Sequence, residues 1–364
     1  HTPFLTLPNS TDQVAALVKL CGQHGVAMTP QGGNTGLVDA GTPHGEITLS
    51  MRRMQAVRSV DPINNSLVIE AGAPLVTAQT EAENANRLFP LSLGSEGTAT
   101  IGGLISTNAG GVAVLRYGMM RDLILGLEVV LPSGEIWDGL SGLRKNNTGY
   151  DLKHVFAGAE GTLGIITAAV IKLFPKPTAR ATALVACTGP EPALTLYARM
   201  RGQTADTLST FEYIDRLGLQ MVIDHAPGCS DPMAEAHPAY CLIELTGNGA
   251  QADLHAVPQI DRADQQGEVG DLGFAEEILQ QRVVGIRRTL LHDLGQALRP
   301  VERRALTIVE ERRFPPGVEQ VEAHFTLTMV HRVLDMHLDA EGAAVHLRGA
   351  CQHEFDQTFF KAAL

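Results

Sequence analysis

The sequence predicts an α+β protein with two domains, and three observations support that fold class. Residues 1–176 alternate short apolar strands with glycine-rich turns, and a helix precedes the first of these turns. Residues 181–245 follow the order strand, helix, strand, which is typical of a second α+β unit. From residue 274 onward, helical patterns dominate. We therefore predict a first domain over residues 1–176 and a second over 177–364, whose C-terminal part is helical.

The N-terminal elements are predicted from local signals. Apolar residues recur at helical spacing from Val14 to Cys21, which predicts a helix over residues 11–25. Asn9, Ser10 or Thr11 can cap this helix, and Gly25 can end it. The elements predicted next are strands over 26–29, 46–51 and 66–70 and a helix over 74–87 that starts at a proline.

A hairpin and a long strand complete the first domain. The hairpin joins residues 127–131 to 135–137 around a Pro-Ser-Gly turn. Residues 146–150 form a polar loop, and residues 159–174 run from a Gly/Thr turn into a β-rich segment. Pro175 and Pro177 then mark the linker between the domains. In the second domain we predict a strand over 181–187, a helix over 191–202 and a buried strand over 240–245.

Composition excludes several classes of protein. The 364 residues are 44% hydrophobic and carry a net charge of -12, which argues against a nucleic acid or an anionic membrane as the main partner. No apolar run reaches the roughly 18 residues that a membrane-spanning helix needs. The five cysteines are an odd number without a CxxC pair, which favours a reduced, cytoplasmic location.

Three glycine-rich segments suggest a binding site. Leu91 to Gly118 is crowded with Gly, Ser, Thr and Asn and nearly lacks charge. Backbone of this kind exposes amides that bind anions such as a pyrophosphate, although tight turns without a ligand are the alternative. PQGGNTG at 30–36 and EGTLG at 160–164 are the other two segments. Three separate donor loops suit a large cofactor, and a flavin dinucleotide offers the matching pyrophosphate, ribityl and ring groups.

Other nucleotide sites are less well supported. The PQGGNTG turn follows a predicted strand but is not the GxGxxG fingerprint, so a nicotinamide-dependent Rossmann enzyme is only an alternative. The sequence contains no GxxxxGK[ST], which argues against a P-loop ATPase.

Several long strings resemble the FAD-linked 2-hydroxyacid dehydrogenases of the vanillyl-alcohol-oxidase-like flavoprotein superfamily. The strings are PQGGNTGLV, GTATIGGLISTNAGG, LRYG, LGLEVVLPSGEI, LRKNNTGYDLKHVFAGAEGTLGIIT and FEYIDR. The match is dense over residues 30–177 and weaker to residue 246. The resemblance implies an FAD-binding domain of the PCMH type with two subdomains, followed by an α+β substrate (cap) domain that is incomplete here.

The resemblance also implies the cofactor contacts. Relatives with covalent FAD often carry His in the first glycine turn, where this chain has Asn34, so we expect non-covalent FAD. The implied FAD-binding residues are Pro30, Gln31, Gly32, Gly33, Asn34, Thr35, Gly36, Leu37, Pro90, Gly94, Ser95, Gly97, Thr98, Gly102, Gly103, Thr107, Asn108, Gly111, Glu160, Gly161, Gly164, Ile165 and Ile166.

Some polar residues near these segments allow two interpretations. Arg144, Lys145, Tyr150 and Asp151 either face the substrate or belong to a surface loop that braces the domain. His24 and His44 are interpreted as solvated or capping histidines rather than as attachment sites.

The second half departs from the family pattern. The family's HxxGDGNxH and Glu-His-Gly segments do not occur in this sequence, so no metal site is assigned, although the family implies a divalent metal such as zinc. Two loose clusters are weighed as zinc sites against solvated helix faces: the segment from His337 to His346, which mixes His, Asp and Glu, and the group Cys351, His353 and Glu354. His331 and His337 are six residues apart, so they do not share a helix face.

Catalytic residues are only weakly indicated. Arg287 can match the family's substrate-carboxylate arginine, because a guanidinium pairs with a carboxylate through two hydrogen bonds. His337 is a candidate base, and the other histidines considered for that role are His292, His324, His331, His346 and His353.

The activity implied is oxidation of a D-2-hydroxy acid, such as D-2-hydroxyglutarate or D-lactate, to the 2-oxo acid. Hydride would pass to flavin N5, and electrons would then pass to a quinone, an electron-transfer flavoprotein or an artificial acceptor. The alternatives are an oxygen-using oxidase subunit of the glycolate type and a catalytically impaired flavin-binding protein. A homodimer is a further expectation.

Overall fold

The computed structural model describes residues 2–226 and 228–249. The helical region predicted beyond residue 274 lies outside the described residues. The chain forms two compact units. One contains residues 2–181, 196–212 and 243–249, and the other contains 182–195, 213–226 and 228–242. The boundary predicted between residues 176 and 177 stays a prediction.

The N-terminal elements form a small parallel sheet beside one helix. Strands β1 (Leu5–Thr6), β2 (Met28–Gln31) and β3 (Ile47–Ser50) pair in the order β1-β3-β2. Helix α1 (Thr11–His24) lies between β1 and β2 in the chain, and its predicted caps are confirmed. Strand β2 begins two residues later than predicted because the Val26 amide still serves the helix end, donating to Cys21 O at 2.9 Å.

Strand β5 (Ser66–Glu70) has the predicted bounds, and β4 (Val57–Asp61), which was not predicted, pairs antiparallel with it. Helix α2 (Leu75–Asn84) is shorter than predicted. It ends there because Asn86 takes a left-handed conformation with φ 54°. The chain then enters strand β6 (Arg87–Leu88), whose first residue was predicted to be the last of the helix.

Two short helices lie within the glycine-rich segment. These are α3 (Ile101–Ser106) and α4 (Val114–Tyr117), and a 3-10 turn follows over Met120–Leu123. Neither helix was predicted, because two glycines weaken the helical signal of α3 and α4 is a single turn.

A five-stranded antiparallel sheet forms the centre of the first unit. Its remaining members are β7 (Ile124–Val130), β8 (Ile136–Gly139) and β9 (Ile165–Lys172), and the strand order is β4-β5-β9-β7-β8. The predicted hairpin is confirmed, since Val130 of β7 pairs with Ile136 of β8. Strand β9 is buried along all its residues but the last, which explains its uninterrupted apolar run.

The main hydrophobic core packs α1, α2 and α3 onto this sheet. Its fully buried members include Val14, Leu67, Leu75, Ile101 and Leu127. The short helix α5 (Lys153–Phe156) follows the polar loop, and β10 (Phe174–Pro175) pairs with β6. Pro175 was assigned to the linker and instead pairs with Arg87.

A separate three-stranded sheet has the order β11-β13-β12. Strand β11 (Ala179–Cys187), helix α6 (Pro190–Thr204) and strand β13 (Ala239–Gly247) confirm the predicted elements. Strand β12 (Leu208–Asp215) and helix α7 (Arg216–His225) were not predicted. The combination of helices with separate parallel and antiparallel sheets confirms the α+β class. Within the described residues, no helix is both long and apolar enough to cross a bilayer.

Candidate cofactor site

A cavity of about 590 Å³ lies in the first unit where the three glycine-rich segments meet. The first wall is the turn after β2, the second is α3 with its flanking residues, and the third is the segment that leads into β9. Most of the predicted cofactor residues line it: Pro30 to Leu37, Ser95, Gly102, Gly103, Thr107, Asn108, Glu160, Gly161, Gly164, Ile165 and Ile166. The structure therefore brings together segments that are distant in sequence.

Other predicted residues do not line the cavity: Pro90, Gly94, Gly97, Thr98 and Gly111. Gly111 and Thr98 pack closely against neighbouring backbone. A Cβ added to Gly111 would lie 2.4 Å from Ser92 O, and Thr98 O would lie 1.9 Å from a Cβ added to Gly33 of the first wall. Direct contact of these residues with FAD stays a prediction.

The sequence revealed only part of the apolar lining. Met51, Ala71, Leu93, Leu104 and Met119 line the cavity without belonging to any predicted contact. Such residues are common in any core, so only the fold shows that they face a ligand site. The remaining additions, mostly small residues beside predicted ones, are Val38, Ala40, Gly41, Ala99, Thr100, Ser106, Ala109 and Gly110.

The first wall presents unused backbone donors. The amides of residues 32–36 donate to no acceptor within the described part of the chain. Close packing shapes this turn, since a Cβ on Gly32 would lie 2.2 Å from Thr100 Oγ1. Asn34 takes a left-handed conformation with φ 54°. A turn with free amides is suited to an anionic group such as a pyrophosphate.

The second wall is fixed by the contact of α3 with the end of β5. The Gly102 amide donates to Ala71 O at 2.7 Å, and a Cβ on Gly102 would lie 2.7 Å from the Ala71 Cβ. Thr100 caps α3 by accepting from the Gly103 amide. Glycine therefore lets the helix approach the strand closely enough to form one side of the cavity.

The third wall has a left-handed backbone and meets the first. Glu160 and Gly161 have φ values of 49° and 78°. The Glu160 amide donates to Ser106 O at 2.9 Å, and a Cβ on Gly161 would lie 2.6 Å from Pro30 Cγ. The small residue at 161 thus allows the two walls to close against each other.

The cavity is nearly neutral. Among the described lining residues, Glu160 is the single ionisable side chain, and the other polar groups are amides and hydroxyls. This donor set fits a dinucleotide whose charge is held by many backbone hydrogen bonds. Non-covalent attachment of FAD stays a prediction.

The structure favours the bracing role for Arg144. Its guanidinium donates to Asn64 O at 3.1 Å and to Asn65 O at 3.0 Å, so it ties the polar loop to the sheet. Tyr150 is 93% exposed. The hydrogen bond from Lys153 lowers the pKa of Asp151 below its ordinary value. Neither Lys145 nor any of the other residues considered for the substrate side lines the cavity.

The side chains of His24 and His44 are exposed, which fits their interpretation as solvated or capping histidines. His24 is in the last turn of α1, where its side chain is exposed. His44 Nε2 lies 3.1 Å from Asp39 Oδ2, and both side chains are exposed. Neither histidine lines the cavity.

Catalytic and metal candidates in the second half cannot be placed. Arg287, His337 and the other candidate histidines and zinc ligands lie outside the described residues. Within residues 2–226 and 228–249, no group of three or more His, Cys, Asp or Glu side chains is arranged to hold a metal ion.

Comparison with known proteins identifies the families that match this chain. The family described as "FAD binding domain" matches residues 3–139, and the family described as "FAD linked oxidases, C-terminal domain" matches residues 176–315. The D-2-hydroxyglutarate–pyruvate transhydrogenase of Saccharomyces cerevisiae is 40% identical over 69% of this chain and 51% of its own length. The mitochondrial D-2-hydroxyglutarate dehydrogenase of Bos taurus is 42% identical over 68% of this chain and 46% of its own length. The chain thus spans about half the length of the curated relatives it matches.

Solved structures show the same fold. An alkyldihydroxyacetonephosphate synthase matches with a TM-score of 0.63 and 19% identity, covering 92% of this chain and 74% of that one. A p-cresol methylhydroxylase with bound substrate matches with a TM-score of 0.63 and 19% identity, covering 79% of this chain and 61% of that one. These likenesses establish the vanillyl-alcohol-oxidase type of fold. The chain therefore carries an FAD binding domain, followed by the C-terminal domain of FAD linked oxidases.

Proposed function

We propose that this chain is part of an FAD-dependent dehydrogenase that oxidises a D-2-hydroxy acid to the 2-oxo acid. The observation that carries the proposal is the identity of 40% and 42% to a D-2-hydroxyglutarate–pyruvate transhydrogenase and a D-2-hydroxyglutarate dehydrogenase. The cavity supports it because the three glycine-rich segments meet in a donor-rich site of the kind that a flavin dinucleotide needs.

In this proposal the described residues hold the cofactor. Bound FAD supplies the acceptor for a hydride from the alcohol carbon. The amides of residues 32–36 are suited to the pyrophosphate, and the apolar side chains of Leu93, Leu104 and Met119 offer nonpolar contact to a ring. Proton removal from the substrate needs a base, for which we propose a histidine of the second half, beyond the described residues.

Anaerobic reduction of the purified protein tests the substrate class. We expect a visible flavin spectrum that bleaches on addition of D-2-hydroxyglutarate or D-lactate. The L-enantiomers and glycolate are the matched controls and are expected to leave the spectrum unchanged. Bound flavin that no hydroxy acid bleaches, with or without added zinc, would favour the impaired flavin-binding protein. Bleaching by glycolate would favour the glycolate-type alternative.

The electron acceptor is a second part of the proposal. We propose transfer to a quinone or an electron-transfer flavoprotein. A 2-oxo acid is the competing acceptor, because the Saccharomyces cerevisiae relative is called a transhydrogenase with pyruvate. Reoxidation of the reduced flavin by a soluble quinone, by pyruvate and by oxygen, measured separately by stopped flow, distinguishes these acceptors and the oxidase.

Location and assembly are also proposed. We infer a cytoplasmic location, supported by the free thiols of the described cysteines Cys21, Cys187, Cys229 and Cys241. Homodimer formation is proposed from the family resemblance alone, and light scattering of the purified protein tests it.

A further inference from the structure

Arg121 lies next to the cavity and bonds to two segments that contribute to its walls. It belongs to the 3-10 turn Met120–Leu123 and is half-buried. Its backbone amide donates to Asn108 Oδ1 at 2.8 Å. Its guanidinium donates through Nη1 to His154 O and through Nη2 to Ala157 O. Asn108 lines the cavity, whereas Arg121 does not.

The two carbonyls lie at the end of α5, where the helical hydrogen bonding stops. If the helix continued, the amide of residue 158 would donate to the carbonyl of residue 154. Gly158 instead donates to Ile105 O at 3.0 Å and takes a left-handed φ of 84°. The guanidinium therefore supplies the donor that the helix no longer provides, at the point where the chain turns toward the cavity.

The turn that follows forms the third wall. A Cβ on Gly158 would lie 3.2 Å from Arg121 Nη2 and 3.5 Å from Asn108 Cβ, so the three residues are closely packed. Two residues later, Glu160 has a left-handed φ of 49°, which is unfavourable for a residue with a Cβ. Surrounding contacts must hold that conformation, and the bonds of Arg121 are well placed to do so.

We propose that Arg121 is a positioning residue for FAD. By joining Asn108 to the end of α5, it fixes the spacing between the second and third walls of the cavity. The inference depends on the cavity being the FAD site. It does not depend on the identity of the hydroxy acid, because its test measures binding of FAD and needs no turnover.

Arg87 provides a matched control. It is also half-buried, and its Nε and Nη2 donate to Pro62 O at 3.1 and 2.7 Å. It bonds as well to Asn65 and Asn86, and none of these partners lines the cavity. Like Arg121, Arg87 donates hydrogen bonds from its guanidinium to backbone carbonyls, but it does not contact the walls of the cavity.

The test compares R121Q and R121K with R87Q and R87K in the full chain. FAD dissociation constants come from flavin fluorescence titration, and thermal midpoints of the apo proteins are measured in parallel. We expect R121Q to raise the FAD Kd about tenfold or more, since charged hydrogen bonds to two carbonyls are lost. R121K should recover only part of the loss, because an ammonium lacks the planar fork that reaches both carbonyls. The Arg87 variants should lower the thermal midpoint while keeping the wild-type Kd.

Hydrogen exchange of the apo proteins gives a readout that remains if R121Q does not fold. In R121K the amides of Gly158 and Glu160 should exchange faster than in the wild type, while those of β9 should not change. Any of four results would overturn the proposal. The first two are a wild-type FAD Kd in both Arg121 variants and a loss of FAD affinity in R87Q equal to that in R121Q. The others are full recovery of FAD affinity in R121K and unchanged hydrogen exchange at residues 158–160. A wild-type protein that binds no FAD would overturn it together with the cofactor assignment.

Discussion

Glu128 shows how single residues combine burial with charge in this fold. Its side chain lies on β7, and its carboxylate accepts from Thr11 Oγ1 at 2.7 Å, from Thr167 Oγ1 at 2.7 Å and from Arg58. Burial acts to raise the Glu128 pKa, but these hydrogen bonds and the Arg58 charge outweigh burial and lower it. The same arginine also pairs with Glu70, so one cation joins strands β4, β5 and β7.

The depressed pKa of Glu128 predicts an acid-sensitive contribution to stability. A carboxyl group with a lowered folded pKa stabilises the fold above its unfolded pKa, and this stabilisation is lost as the pH falls through the folded pKa. We expect E128Q to lower the unfolding free energy at pH 7 by about 1–3 kcal/mol, because a charged acceptor is lost. The difference in unfolding free energy between E128Q and the wild type, measured by urea titration, should shrink below pH 4. A difference that is independent of pH would contradict the assignment, and E135Q, on an exposed turn, is the control.

Burial also distinguishes the described cysteines from one another. Burial, followed by the neighbouring Cys187 thiol, raises the pKa of Cys241 to about 12. The two sulfur atoms are 3.9 Å apart and both residues are buried. Cys229 is half-exposed.

We therefore expect thiol labelling at pH 8 to reach Cys229 quickly and the buried pair slowly, since the thiolate is the reactive form. Peptide mass spectrometry after short labelling locates the modified residues. C229S should remove the fast signal of its peptide, and C241S should leave that signal unchanged. Rapid labelling of Cys241 in the folded protein would contradict the raised pKa.

Some helices and strands are specified by local sequence pattern, and others depend on tertiary contacts. The bounds of β5 and the caps of α1 follow from neighbouring residues, and the structure confirms them. Helix α3 escaped prediction because it has six residues and two glycines, and its contact with Ala71 supports it instead. Helix α2 ends before the left-handed Asn86, and the strand that follows it pairs with residues distant in sequence.

The packing of the first glycine turn, residues 30–36, predicts different effects for two Gly-to-Ala substitutions. A Cβ on Gly33 would collide with the Thr98 carbonyl, whereas a Cβ on Gly36 would meet no atom within 4 Å. We expect G33A to lower the unfolding free energy by about 1–3 kcal/mol or more, because the backbone has to move. G36A should leave the stability of the apo protein close to that of the wild type. Chemical denaturation of both apo variants measures this, and equal losses would show that the turn does not pack against residue 98.

At the scale of the whole molecule, the cofactor cavity connects separate parts of the first unit. Its walls come from the turn after β2, the α3 region and the entry to β9. A ligand that contacts all three should oppose their separation, because binding to the folded state alone stabilises that state.

Removal of FAD should therefore lower the thermal midpoint of the full chain by several degrees. Adding FAD back at about 100 times its Kd should stabilise the folded state by about 2.7 kcal/mol. FMN lacks the adenylate part and is the matched control, which we expect to stabilise less at the same concentration. Differential scanning calorimetry measures both effects. Equal stabilisation by FMN would show that the site does not recognise a dinucleotide.

FAD was predicted from the resemblance of the glycine-rich strings to a known family. The α+β composition and most strands of the described region were predicted from apolar periodicity and turn residues, which are local properties of the chain. The contacts of Gly33 with Thr98, of Gly161 with Pro30, and of Arg121 with Asn108 and α5 became visible in the folded chain alone. They join segments that are distant in sequence, as the pairing of β5 with β9 also does, and no local pattern encodes such contacts.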